Sequence, residues 1–170
     1  MNNYAKIRKM DISNGPGVRV SLFVQGCPFH CKNCFNSETW NPEGGKPFTE
    51  AELKLLMDLC APEYIDGLSI LGGEPLWKDA SLEMTTAVAK EFKTRYPEKS
   101  LWLWTGFKWE QVKDLPIMKY VDVVVDGQFI QECADPTLKW RGSSNQRIID
   151  VKTQKEMRDS KFWQDSKNKV

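Results

Sequence analysis

The stretch "VRVSLFVQGCPFHCKNC", residues 18–34, decides how the rest of the chain is read. Val18 to Val24 mixes alternation with an apolar run, which predicts a β-strand. It feeds without a break into a loop that carries Cys27, Cys31 and Cys34 within eight residues. A strand that delivers chemically active residues just past its carboxyl end is the unit from which α/β proteins build their sites.

The unit recurs along the chain. Thr49-Glu-Ala-Glu52 forms a capping-box pattern, and Leu53, Leu56, Met57 and Cys60 follow at helical spacing until Pro62, predicting a helix over about 50–60. Gly67 to Leu71 is a short apolar run stopped by Gly72-Gly73-Glu74-Pro75, as in a buried strand. A second helical stripe runs from Leu82 to Tyr96. Leu101 to Trp104 predicts a third strand, ending in Thr105-Gly106. After a short helix around 108–114, Val121 to Val125 predicts a fourth, ending in Asp126-Gly127. An irregular stretch then leads to a fifth strand at 147–151.

Strands alternating with helices imply right-handed crossovers and a parallel sheet covered on both faces. Four or five strands are too few for a closed eight-stranded barrel. The expected fold is therefore α/β, an open partial barrel of mainly parallel strands. The cysteine loop, Gly72-Gly73-Glu74-Pro75, Thr105-Gly106 and Asp126-Gly127 all fall at the carboxyl edge, so one site is expected there.

The chain has 170 residues and a net charge of +1. Its length fits one domain, here 1–151, followed by a polar, lysine-rich segment at 152–170 read as a helix or tail. No broad basic surface marks a nucleic-acid partner. No apolar run reaches the ~20 residues of a membrane span, and the first residues lack the apolar core of a signal peptide. A cytoplasmic protein without membrane or nucleic-acid partners is expected.

Five cysteines, an odd number with three crowded together, suit a metal site better than a disulfide framework. Zinc would want a fourth ligand; His30 is available but abuts Cys31. Cys31 and Cys34 also fit a thiol-redox pair, which leaves Cys27 unexplained. Cys60 lies on an apolar helical stripe and reads as a small core residue. Cys133 takes no assignment. A [4Fe–4S] cluster held by three thiolates leaves one iron open, and an open position is how a metal site accepts a substrate. The cluster is the favoured occupant, with zinc and redox chemistry standing beside it.

The pattern Cys27-x3-Cys31-x2-Cys34 after the first strand, with Gly72-Gly73-Glu74-Pro75 after the second, resembles the radical S-adenosylmethionine (SAM) superfamily. Asn14 to Arg19, Gly26 to Asn36, Leu101 to Gly106, Val123 to Gly127 and Arg141 to Gln146 narrow the resemblance to the activating enzymes of anaerobic ribonucleoside-triphosphate reductase. That resemblance implies a [4Fe–4S] cluster on Cys27, Cys31 and Cys34, whose open iron holds the amino and carboxylate groups of SAM. It implies reductive cleavage of SAM to a 5′-deoxyadenosyl radical and a glycyl radical on the partner, the catalytic subunit of the reductase. A reduced flavodoxin-type protein is the implied electron donor. Gly72 and Gly73 would admit the ligand and Glu74 would face its amino group. Backbone groups of Asn33, Cys34 and Phe35 would line the adenine; Asn33 stands where the superfamily often has an aromatic residue. Thr105 and Asp126 are candidates for the ribose or carboxylate, and equally for helix or turn caps. Trp77, Trp102 and Trp104 read as core or interface. With no extra domain as a lid, the partner is expected to close the site, over 128–146 and the exposed tryptophans. A non-catalytic iron–sulfur, zinc or electron-transfer module is the competing class.

Overall fold

The computed structural model describes residues 2–157. Its strands are β1 (Asn3–Asp11), β2 (Arg19–Val24), β3 (Lys46–Pro47), β4 (Gly67–Gly72), β5 (Ser100–Trp104), β6 (Val123–Asp126), β7 (Arg147–Asp150) and β8 (Lys155–Glu156). They form one open sheet in the order β3-β1-β2-β4-β5-β6-β7-β8. The helices are α1 (Glu50–Cys60), α2 (Leu82–Arg95) and the short α3 (Trp109–Val112). Thr49 and Glu52 make the expected capping box at the start of α1.

The centre of the sheet is parallel: β2 with β4, β4 with β5, and β5 with β6. The remaining pairings, β1 with β2 and β3, and β7 with β6 and β8, are antiparallel. A sheet of four or five mainly parallel strands is therefore corrected to a mixed sheet with a parallel middle. The reason at β7 is the connection. No helical crossover follows β6, and without one a chain turns back antiparallel. Strand β1 is new: Lys6, Arg8, Lys9 and Met10 are all exposed, so half of it carries no apolar signal. The polar segment after Val151 begins with a turn and then β8, an edge strand in place of a helix or loose tail. Residues 158–170 lie outside the described residues.

Coverage of the two faces also departs from expectation. Val20, Leu22, Ile70, Leu101 and Leu103 pack with Leu56, Met57, Val88 and Phe92 of the helices in the main core. The alternate residues point the other way, since side chains on a strand alternate. There Trp102 joins Val123, Val125 and Ile148 in a smaller cluster flanked by Trp104 and Trp140. The same face also holds Phe23, Leu71, Arg19, Ser21 and Ser69, all buried. The Arg19 guanidinium donates to Ser69 Oγ, Ser100 Oγ and the carbonyls of Pro16, Leu68 and Ser100. This one cation ties the starts of three parallel strands to the Gly15-Pro-Gly17 turn.

Candidate metal and cofactor site

Past Val24 the chain leaves the sheet but stays anchored. Gly26 N–H donates to Thr39 O at 2.6 Å and Cys27 N–H to Trp40 O at 3.0 Å. The Gln25 side chain donates to the carbonyls of Glu38 and Asn41. The base of the cysteine loop is thus fixed while its tip is free to present side chains. His30 and Asn33 take left-handed conformations at the tip, with φ of 50° and 59°.

The second loop docks directly on that base. Gly73 N–H donates to Val24 O at 2.9 Å, and Glu74 N–H to Gly26 O at 2.7 Å. A Cβ on Gly73 would lie 2.3 Å from Gly26 O, and Gly72 holds φ at +103°. Both glycines are required by geometry: one for close backbone approach, the other for a conformation other residues resist.

Glu74 carries the chain of contacts onward. Its carboxylate is 1% exposed and accepts from Leu76 N–H at 2.9 Å, Thr105 Oγ1 at 2.7 Å and Gly106 N–H at 2.6 Å. Burial raises its pKa to about 7, against the opposing pull of those donors. Glu74 therefore fastens the β4 loop to the β5 loop. Thr105 Oγ1 is used twice, donating to Glu74 and accepting from Phe107 N–H. The Phe29 ring closes back over Gly106 and meets Phe107, with ring centroids 4.9 Å apart.

A cavity of about 530 Å³ opens over these loops. Cys27, Cys31 and Cys34 line it, with Gly72, Gly73, Glu74 and Thr105. Phe35 is also on its wall, but Asn33 is not. Asp126 lines an adjoining cavity that shares Cys31, Phe29 and Gly127 with the first. Its carboxylate accepts from Trp109 N–H at the start of α3 and pairs with Arg147. Asp126 thus joins the first N–H of α3 to Arg147. His30 stacks on Trp40 with centroids 4.6 Å apart, away from the thiol-lined wall. Cys60 is fully buried in the main core, where burial pushes its thiol up to about 12. Cys133 ends a short 3-10 turn and does not reach the cavity wall.

The three thiols are free of disulfides, and burial raises the pKa of both Cys27 and Cys31. Among the described residues no three His, Cys, Asp or Glu side chains already converge on a metal-sized point. The fit to a cluster lies elsewhere: three soft sulfur donors share one roomy wall, and a metal would displace their protons on binding. Polar neighbours already address the sulfurs. Cys31 Sγ donates to Gln128 Oε1 at 3.7 Å, and Asn36 N–H donates to Cys34 Sγ at 3.4 Å.

The 127–146 stretch, irregular in sequence, is a hydrogen-bonded knot. Gln146 Oε1 accepts from the N–H groups of Gly142 and Ser143, while its Nε2 donates to Gly127 O. Trp140, Arg141, Gly142, Gln146 and Phe129 form part of the cavity wall. The sequence marks Arg141 to Gln146 by resemblance and as part of the expected partner surface; in the structure Gln146 also folds that wall.

A family model described as a 4Fe-4S single cluster domain matches residues 13–149. The chain is 46% identical over 147 residues to a phage T4 protein, covering 86% of this chain and 92% of that one. It is 43% identical over 150 residues to a Vibrio cholerae protein, covering 86% and 96%. It is 38% identical over 150 residues to an Escherichia coli K12 protein, covering 86% and 97%. All three are named anaerobic ribonucleoside-triphosphate reductase-activating protein. The chain belongs to that family. The matched span of the cluster-domain model takes in every loop that meets the thiol-lined cavity, from the cysteine loop to the Gln146 knot.

Proposed function

We propose that this protein activates the catalytic subunit of an anaerobic ribonucleoside-triphosphate reductase by generating a glycyl radical on it, using SAM and a [4Fe–4S] cluster. The observation that carries the proposal is the meeting of Cys27, Cys31, Cys34 and the Gly72-Gly73-Glu74 loop on one cavity, in a chain of this family. Cys27, Cys31 and Cys34 would hold the cluster, leaving one iron for the substrate. When bound, the cluster and SAM supply one-electron cleavage of the sulfonium and a 5′-deoxyadenosyl radical.

The residues of this chain bind and orient. Gly72 and Gly73 bring backbone close to the ligand. Glu74 keeps the second and third loops in register and stands on the cavity wall, where an ammonium would meet it. Cys34 and Phe35 stand on the wall where the adenine would lie; Asn33 takes its left-handed turn just before them. Thr105 is committed to Glu74 and acts through it. Asp126 is assigned to capping α3 instead of the ribose. The cavity is open to one side, so the partner completes the enclosure that a primary radical needs. No helix among the described residues is long and apolar enough to cross a membrane; a cytoplasmic setting with a flavodoxin-type donor completes the proposal.

The test is anaerobic. The protein is reconstituted with iron and sulfide, reduced, and given SAM, and 5′-deoxyadenosine is quantified with and without the reductase subunit. Product from the wild type and none from Cys31→Ala is expected. A full iron complement without product, even with the partner present, would overturn the SAM chemistry and favour a cluster-binding module.

A further inference from the structure

Strand β1 is paired unevenly. On one side it runs against β2 from Tyr4 to Asp11. On the other, β3 meets only Asn3 and Tyr4. Among the described residues no strand lies beside the outer edge from Ala5 onward. An unpaired edge of this length is a template for a further strand.

The side chains on that edge are selective. Lys6 and Arg8 lie on one face, with their cations 4.7 and 5.1 Å from the centre of the Phe23 ring. Both also line the thiol-bearing cavity. Lys9 is exposed beside them, so three of four consecutive residues are cations in a chain whose net charge is only +1. Arg8 is partly neutralised by Asp11 at 3.5 Å; among the described residues Lys6 and Lys9 form no ion pair. The edge then runs into Met10 and Ile12, which are 62% and 72% exposed. Cations on an edge repel a second copy of the same edge. They accept a strand that brings carboxylates, and strand addition reads alternate side chains.

We infer that the outer edge of β1 docks an extended segment of the protein partner by strand addition, with carboxylates at alternate positions meeting Lys6 and Arg8. The inference rests on the proposed function, in that the partner is the reductase subunit. Its geometric consequence is that the docked segment runs along the rim of the thiol-lined cavity, so its continuation can enter the cavity from that rim.

The experiment is hydrogen exchange on the holoprotein, alone and with the whole reductase subunit, read on fragments spanning residues 3–12. Binding is measured in parallel for the wild type and for the charge-reversed Lys6→Glu/Arg8→Glu protein. Expected are slower exchange across β1 in the complex and an affinity at least about tenfold weaker for the reversed protein, with a shallower salt dependence. A complex in which β1 exchanges as before overturns the docking site and leaves the proposed function standing. Slower exchange with an affinity unmoved by charge reversal removes the acidic assignment. Failure of the wild type to bind the subunit at all removes both the inference and the reading it rests on. Should the reversed protein not fold, the wild-type exchange experiment decides the docking site alone.

Discussion

Glu74 shows how one residue can join three loops. Its folded pKa, about 7, lies above the ordinary 4.5, so the folded state holds the proton more tightly than the unfolded chain. The stabilisation is full below pH 4.5 and is lost as pH rises through 7. The stability of the wild type relative to Glu74→Gln should therefore fall, by on the order of 3 kcal/mol, as pH rises across that window. Denaturant melts at a series of pH values measure it; a constant gap would show that Glu74 titrates normally. The cysteines divide just as sharply. Cys27→Ala, Cys31→Ala and Cys34→Ala should each lose most of the bound iron while keeping a cooperative melt. Cys60→Ala should keep its iron and lose about 1–2 kcal/mol of stability, because it opens a small void in the main core. Iron analysis beside thermal melts separates the two classes, and iron loss in Cys60→Ala would contradict the assignment.

At the scale of the elements, the loops depend on backbone contact more than on side chains. Gly73→Ala places a Cβ against Gly26 O, and neither backbone can yield without disturbing β2 or β4. It should cost about 2 kcal/mol or more and lower iron incorporation with it. In the 127–146 knot, Gln146→Ala strands the N–H groups of Gly142 and Ser143 and should speed proteolysis within that stretch. Unchanged cleavage would mean the knot is held by other contacts. The elements that sequence made legible are those with a burial signal. The parallel strands at 67–72, 100–104 and 123–126 are apolar because helices cover one face and aromatic and aliphatic residues fill much of the other. Strand β1 carried no such signal, since Lys6, Arg8 and Lys9 face solvent or the cavity. The direction of β7 depended on a missing crossover helix, which composition does not announce. The cysteine and Gly-Gly-Glu loops were legible as a single site because both follow strands. The internal commitments of Thr105 and Asp126 were not legible, because a capping carboxylate and a ligand-binding one look alike in sequence.

The whole molecule separates stability from chemistry by face. The helices and the main core lie on one side of the sheet, and the thiol-lined cavity lies over the other. Removing iron with a chelator under anaerobic conditions should therefore leave the far-ultraviolet dichroism and cooperative unfolding largely intact, unlike a small domain built around its metal. Collapse of the fold on chelation would show that the cluster is structural. The same division leaves the reactive side open for a partner to close. Activation of the reductase is read by electron paramagnetic resonance of the reductase subunit after anaerobic incubation with this protein, SAM and a reductant. A glycyl radical doublet that requires SAM and is absent with Cys31→Ala is expected. An intact, cluster-loaded complex that turns over SAM yet leaves no radical on the subunit would contradict it.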